Sequence, residues 1–204
     1  MHGQIENLYK LQESDIEKAG KVLADAFEHA PIWGRIMKGC SREQRSAWFQ
    51  SPVRYCMKYG TAIATSPEIE GFTGWLPSEY SEMTFGRMIK SGATRSGKKA
   101  GFRPMFRMMP LRVFDKDRKK HMKDKPFIYV MIVGVSPQHQ GQGFGGKLIR
   151  RIIKESERTG LPIYLETSTE PNVAMYNHLG FEILDKILLP KLNIPQWEML
   201  REPK

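Results

Sequence analysis

The chain has 204 residues, of which 32 are Lys or Arg and 22 are Asp or Glu, and its formal net charge is +10. This length fits one α/β domain with a sizeable core. No apolar run reaches the ~18 residues of a membrane span, and the amino terminus lacks the apolar core of a signal peptide. Cys40 and Cys56 are too few for a disulfide framework or a zinc site. We therefore expect a cytoplasmic protein with no membrane partner and no metal.

The first 77 residues predict strands and helices of ordinary length. Glu6 to Leu11 has the pattern of an opening strand, and a helix should follow it. A second helix is predicted for Arg42 to Lys58, with a kink or an interruption at its internal proline. Thr61 to Ser66 and Gly71 to Leu76 then predict a β-hairpin.

Residues 78–125 form a basic segment that is rich in methionine. They contain 14 Lys or Arg and 5 Asp or Glu, a surplus of 9, together with six of the twelve methionines of the chain. This mixture predicts amphipathic helices that pack an adaptable apolar side against the domain or a ligand. A basic surface can also contact nucleic acid, an anionic membrane or an acidic protein. We interpret the segment as an extra helical insert beside a binding site, and we do not expect nucleic acid as its partner.

A glycine-rich turn lies between an apolar strand, predicted for Phe127 to Val135, and an amphipathic helix. Glycine permits positive φ and lets phosphates approach the amides at a helix start. The nucleotide P-loop pattern nearly fits, but Leu148 occupies the position of its magnesium-binding Ser or Thr. The dinucleotide pattern also fits the glycines and Glu166, but only 38 residues follow Glu166. These are too few for the rest of a doubly wound sheet.

A third phosphate-binding pattern, Gln/Arg-x-x-Gly-x-Gly/Ala, is met by Gln140, Gly143 and Gly145. In it, consecutive amides of the turn and the helix start bind a pyrophosphate. The helix that follows has an apolar face and should end at Gly160. Leu161 to Leu165 then predicts a strand parallel to the one before the turn.

This order of motifs resembles the acyl-CoA-binding core of the GNAT superfamily of N-acyltransferases. The resemblance continues through Glu170 to Phe181, which contain the family's Asn, Tyr and Gly-Phe positions. Between Tyr129 and Arg201 the amino-acid sequence resembles that of puromycin N-acetyltransferase-like proteins, although Phe127 stands where those relatives have histidine. The resemblance to the GNAT superfamily implies one α/β (α+β) domain over residues 1–204, with an acyl-CoA-binding core at 127–201. Its central mixed, mostly antiparallel sheet should be splayed between two parallel core strands, with helices on its sides.

The resemblance also implies acetyl-CoA as cosubstrate and the primary amine of a small molecule as acceptor, in a monomer or homodimer without metal. The implied cofactor contacts are Val133, Gly134, Val135, Gln140, Gly141, Gln142, Gly143, Phe144, Gly145, Gly146 and Asn172. A glycine inside a strand, as at Gly134, suggests a bulge or a close backbone approach. Two alternatives stay open: acetylation of a protein lysine or amino terminus, and a non-catalytic module that binds acyl-CoA or nucleic acid.

Four residues are implied to act on the reaction or the acceptor. Tyr176 would protonate the departing thiolate, although it could equally be a core tyrosine beside Phe181. Glu166 is our choice for the base that deprotonates the amine, and its alternative role is to hold loop amides. Glu28 and His29 follow the first helix and are interpreted as contacts of the acceptor.

Overall fold

The structure is a computed structural model that describes residues 8–123 and 125–204. Its centre is a seven-stranded sheet in the order β1-β2-β3-β4-β5-β7-β6. The strands are β1 Tyr9–Lys10, β2 Thr61–Ala64, β3 Gly71–Pro77, β4 Ile128–Val135, β5 Ile163–Thr167, β6 Glu182–Leu188 and β7 Pro195–Arg201. Neighbouring strands are antiparallel except β4 and β5, which are parallel. The mixed, mostly antiparallel sheet predicted from the sequence is therefore confirmed.

Helices pack on both faces of the sheet. They are α1 Ile16–Ala26, α2 Pro31–Ile36, α3 Arg42–Tyr59, α4 Phe85–Lys90, α5 Gly97–Ala100, α6 Arg103–Arg107, α7 Val113–Met122, α8 Phe144–Thr159 and α9 Glu170–His178. On one face, α1 and α3 contribute Leu23 and Phe49 to a core that also contains Tyr129. On the opposite face, α8 and α9 contribute Ile149 and Tyr176 to a second core. None of the described helices has the length and apolar character needed to cross a membrane.

Most elements expected in the first 77 residues are present. The hairpin consists of β2 and β3, and α3 continues through Pro52 without interruption. The opening strand is shorter than expected, because only Tyr9 and Lys10 pair with β2. Glu6 and Asn7, which the expected strand included, lie outside the described residues.

The parallel strands β4 and β5 pair only at their beginnings. Ile128 is opposite Ile163 and Tyr129 is opposite Tyr164, after which no further pairs form between the two strands. The register of β3 against β4 also shifts, so that Met131 is an extra residue between two paired positions. The bulge is thus at Met131 and not at Gly134. The strands therefore diverge toward the carboxyl end of β4 and leave a wedge beside Glu166.

Gly134 lies in close contact with α1. A Cβ atom at this position would lie 2.7 Å from Leu23 Cδ2 of α1, too close for two carbon atoms. The same Cβ would be 3.4 Å from the side chains of Ala26 and Phe27. The end of α1 therefore lies directly against the backbone of β4. The close backbone approach expected at Gly134 is one between α1 and β4.

Candidate active site

The glycine-rich turn leads directly into α8. Gly141 has φ +76° and Gly143 has φ +83°, which side chains with a Cβ adopt at a cost. Among the described residues, nothing lies within 4 Å of a Cβ built on either glycine, so the space beside both is open. Gly143 is the N-cap of α8 and forms no side-chain cap. The amides of Phe144, Gly145 and Gly146 consequently start the helix without intrahelical partners and are available to an anion.

The two glutamines of the turn hold its backbone. Gln140 Nε2 donates to the carbonyl oxygen of Val135 at 3.1 Å, and Gln142 Nε2 donates to that of Gln138 at 3.1 Å. The first bond ties the turn to the end of β4. The two glutamines therefore stabilise the conformation that directs the helix-start amides outward.

The acceptor candidates Glu28 and His29 directly follow the end of α1. They lie just beyond Phe27, whose ring approaches the Gly134 position of β4. Glu28 Oε1 accepts a hydrogen bond from Arg45 Nη2 at 2.7 Å, and His29 is exposed. Both residues are therefore near the carboxyl end of β4, on the opposite side of the sheet from α8.

Asn172 and Tyr176 lie on α9, on the same side of the sheet as α8. Asn172 Nδ2 donates to Thr167 Oγ1 at 3.2 Å, which fixes the start of α9 to the end of β5. Tyr176 is 7% exposed, and its ring centroid is 5.4 Å from that of Phe181. Burial raises the pKa of Tyr176 from its ordinary 10 to about 12, and the hydroxyl is protonated at neutral pH at either value. Its packing is that of a core tyrosine, and its protonation state is that of a proton donor.

Glu166 is the centre of a buried polar network at the point where β4 and β5 diverge. Arg118 Nη1 donates to Glu166 Oε1 at 2.6 Å, and the Tyr129 hydroxyl donates to Glu166 Oε2 at 3.0 Å. Burial raises the pKa of Glu166, although the ion pair with Arg118 opposes the shift. The sequence suggested that this carboxylate holds loop amides as an alternative to acting as a base. In the structure it binds a guanidinium and a phenol, each through a different oxygen.

Arg118 was not among the residues selected from the sequence. It lies on α7 of the basic segment, its side chain is 6% exposed, and it also pairs with Asp115. Its guanidinium carbon is 4.3 Å from the centroid of the Tyr129 ring. Burial disfavours its charged form, but Tyr129, Glu166 and Asp115 outweigh this effect and raise the pKa. Nothing in the sequence distinguished this arginine from the other cations around it, because only the docking of α7 buries it.

A second buried carboxylate, Glu198 of β7, lies directly opposite Glu166 in the sheet. The Tyr164 hydroxyl donates to Glu198 Oε2 at 2.7 Å, and His121 Nδ1 of α7 is 2.8 Å from the same oxygen. Asp185 of β6 is 3.7 Å from the other ring nitrogen of His121. Burial raises the pKa of Glu198 to about 7. Because Arg118 and His121 both belong to α7, this helix packs on the sheet through polar side chains that contact the two buried carboxylates.

We expect Glu198→Gln to remove a pH dependence of stability. The pKa of Glu198 rises from its ordinary 4.5 to about 7, so the folded state binds more protons than the unfolded chain between these values. The free energy of unfolding of the parent should therefore fall as the pH rises through this window, by about 2 to 3 kcal/mol. Denaturant unfolding at pH 4.5 and pH 8 should show the variant gaining relative to the parent only at pH 8. Glu202→Gln, at an exposed position, is the control. An equal gain in unfolding free energy at pH 8 in this control would contradict the assignment of the pH dependence to Glu198.

The comparisons with known proteins agree with this geometry. The family model of the acetyltransferase (GNAT) family matches residues 91–181. An uncharacterized N-acetyltransferase of Schizosaccharomyces pombe is 27% identical over 207 residues, which cover 96% of this chain and 83% of that protein. These two findings support an N-acetyltransferase of the GNAT superfamily. The more specific similarity to puromycin N-acetyltransferase-like proteins stays a prediction.

Two solved structures share the fold. One is described as histone acetyltransferase HPA2 and related acetyltransferase from Corynebacterium glutamicum, with a TM-score of 0.65, 21% identity and coverage of 97% of this chain and 96% of that one. The other is arylalkylamine N-acetyltransferase 2 from Aedes aegypti, with a TM-score of 0.63, 10% identity and coverage of 97% and 99%. The chain therefore folds as a single α/β domain of the GNAT type.

Proposed function

We propose that the protein transfers an acetyl group from acetyl-CoA to the primary amine of a small molecule and releases an amide and free CoA. The observation that carries this proposal is the wedge between β4 and β5, which opens toward the carboxyl end of β4, the end to which Gln140 ties the glycine-rich turn before α8. A thioester lying in the wedge would be within reach of groups from both strands. No covalent acyl-enzyme is needed, because an amine nitrogen is itself a sufficient nucleophile once deprotonated.

The residues of the turn fit the pyrophosphate of acyl-CoA. Gly141 and Gly143 leave open space beside the backbone, and the helix dipole of the 16-residue α8 favours negative charge at its start. The backbone of Val133, Gly134 and Val135 borders the wedge, where it is suited to hydrogen-bond an extended pantetheine arm. Acetyl-CoA would bring the activated thioester, and the chain would bind and orient it.

Tyr176 is proposed to donate a proton to the departing sulfur. Its hydroxyl carries a proton at neutral pH, as an unperturbed tyrosine also does, and burial raises its pKa further. Asn172 is one helical turn earlier on α9 and anchors the helix to Thr167 at the end of β5. The position of Tyr176, the proton donor, is therefore fixed by β5, the strand that also forms one side of the wedge.

Glu166 is proposed to take the proton from the amine, either directly or through a water. Its raised pKa brings it nearer to neutral pH, which suits a general base. Arg118 donates to one carboxylate oxygen of Glu166 and Tyr129 donates to the other. The two bonds orient the carboxylate and leave a further lone pair on each oxygen. Arg118 would then act through Glu166, as a positioning residue.

A small acceptor is favoured over a protein chain by the position of the basic segment. The α7 helix lies over the sheet face that contains Glu166, and the side chains of Arg118 and Glu166 are 6% and 8% exposed. An extended peptide would need an open groove at this place. The free thiols of Cys40 and Cys56 are consistent with a cytoplasmic location.

A turnover screen tests the proposed activity. Free-thiol release from acetyl-CoA should be measured with puromycin, arylalkylamines, polyamines, aminoglycosides and a lysine peptide. We expect turnover with one class of small amine and little with the peptide. Tight CoA binding without turnover of any amine would favour a binding module, and preferential turnover of the peptide would favour protein acetylation.

We expect Gly143→Ala to weaken CoA binding about 10-fold, because a Cβ would project beside the amides that bind phosphate. The positive φ at Gly143 should also cost about 1 kcal/mol of folding stability. Gly160→Ala is the matched control at the other end of α8, where φ is +68° and the space is also open. It should cost similar stability and leave CoA affinity unchanged, as measured by calorimetry. Equal CoA affinity of the two variants would contradict the assignment of the turn.

We expect Glu166→Gln to lower kcat/KM at neutral pH about 100-fold, because the amide cannot accept the proton. The acidic limb of the pH profile of kcat/KM should disappear in the variant. In the parent this limb should lie above the ordinary carboxyl range, because burial raises the pKa of Glu166. A variant that is less stable but keeps the parent's profile would show that Glu166 is structural, with another group or a water acting as base.

A further inference from the structure

Residues 85–112, which we call the basic strap, cross the outer side of α3. Three hydrogen bonds define this course: Tyr59 Oη to Arg87 O at 3.4 Å, Ser51 Oγ to Ala93 O at 2.7 Å and Ser96 Oγ to Gln50 Oε1 at 2.7 Å. The strap thus runs antiparallel to α3, from its carboxyl end toward its amino end. Farther along, Arg107 Nη1 donates to the carbonyl oxygen of Lys38 at 2.6 Å. The strap therefore extends along α3 and reaches the end of α2.

The outward side of the strap is strongly apolar. The described part of the chain has nine exposed large hydrophobic side chains, and six of them are in the strap. They are Phe85, Ile89, Phe102, Met105, Phe106 and Met109. Phe85, Phe102 and Phe106 are 72%, 70% and 67% exposed. Such a concentration of exposed phenylalanine and methionine marks an interaction surface.

The charge of the strap has a single sign. Eight of its residues are cationic and none is acidic: Arg87, Lys90, Arg95, Lys98, Lys99, Arg103, Arg107 and Arg112. The cations are interspersed among the exposed apolar residues along the strap. Arg87 and Arg107 donate to backbone carbonyls of the protein, and Arg95 pairs with Glu13. The other five cations, Lys90, Lys98, Lys99, Arg103 and Arg112, are exposed beside the apolar side chains, so a partner that suits this surface presents both negative charge and an apolar region.

An anionic lipid bilayer meets both requirements together. Its phosphate and carboxylate groups lie at the depth of the lysines and arginines, and its acyl chains begin a few ångströms deeper, where phenylalanine rings are buried. The apolar side chains protrude from α4, from α6 and from the positions on either side of α6, and such short elements suit a deformable surface. A nucleic acid would match the charge but would leave isoleucine and methionine without apolar partners.

We propose that the basic strap docks the protein peripherally on membranes rich in anionic lipid. From the sequence we expected no membrane partner, because we found no apolar run long enough to span a membrane, but peripheral binding does not need one. This inference concerns a surface separate from the wedge between β4 and β5. It therefore does not depend on the proposed acetyl transfer.

Sedimentation with lipid vesicles tests the proposal with the full chain. We expect binding to phosphatidylcholine vesicles that contain roughly one-third phosphatidylserine, and no binding to pure phosphatidylcholine. Phe102→Ser with Phe106→Ser should reduce the affinity about 10-fold or more, because two apolar anchors are lost. Lys98→Glu with Lys99→Glu should reduce it about 30-fold or more at physiological salt.

Matched controls separate this surface from general effects. Leu188→Ser removes a 58% exposed apolar side chain from β6, and Lys154→Glu reverses an exposed charge on α8. Both should bind the anionic vesicles like the parent. The proposal is overturned if the parent does not sediment with these vesicles, or if the phenylalanine double variant binds them as the parent does. It is also overturned if the parent binds short duplex DNA as tightly and the phenylalanine double variant retains that binding.

Discussion

Replacing Tyr176 by phenylalanine is expected to slow acetyl transfer about 100-fold while CoA binding stays within a few-fold of the parent. The variant keeps the ring that packs against Phe181 but loses the hydroxyl, which is protonated at neutral pH. The departing thiolate would then leave without a proton from the protein. Single-turnover measurement of free-thiol release isolates this step from product release.

The control for Tyr176 is Tyr59→Phe. Tyr59 is also partly buried, but it packs on the opposite face of the sheet from Tyr176, and its hydroxyl donates to the carbonyl oxygen of Arg87. This variant should keep the parent's single-turnover rate. If Tyr176→Phe also keeps it, Tyr176 is only a core residue. If CoA affinity falls as much as the rate does, its role is in binding.

Replacing Arg118 by methionine is expected to lower the free energy of unfolding by about 3 to 5 kcal/mol. The change would leave the buried Glu166 carboxylate without its positive partner, and isolated buried charges are costly. Since Arg118 opposes the upward shift, the pKa of Glu166 should rise further in the variant. The destabilisation should therefore be larger at pH 8 than at pH 5, where the carboxyl can take up a proton. Denaturant unfolding at both pH values measures this difference.

Two further variants test whether the effect belongs to the buried pair. Lys119→Met changes the neighbouring cation of α7, which is 71% exposed and pairs with Glu82, and it should cost no more than ~1 kcal/mol. Combining Arg118→Met with Glu166→Gln should recover part of the lost stability, because the uncompensated charge is gone. An equal loss of unfolding free energy in the arginine and lysine variants would contradict the buried network. A loss in the double variant equal to the sum of the losses in the two single variants would contradict it as well.

Several predicted elements depended on local signals, and the structure contains them. The glycines of the turn have positive φ, Gly160 ends α8 in the left-handed conformation, and α8 buries the apolar side that its spacing indicated. Backbone conformation at glycine and helical periodicity are properties of neighbouring residues. A sequence can therefore specify them without knowledge of distant contacts. For the same reason, the parallel arrangement of β4 and β5 followed from their connection through one helix.

Contacts between distant segments required the tertiary structure. Arg118 is separated from Glu166 by 48 positions, and the sequence contains nothing that selects it from the other cations of its segment. The bulge at Met131 depends on pairing with β3, and exposure of Phe102 and Phe106 depends on which side of the strap faces α3. Burial and pairing are set by the whole assembly of elements. The sequence by itself thus determined the turn and the helix proposed to bind the donor, whereas the tertiary structure decided which charges are buried and which apolar side chains reach the surface.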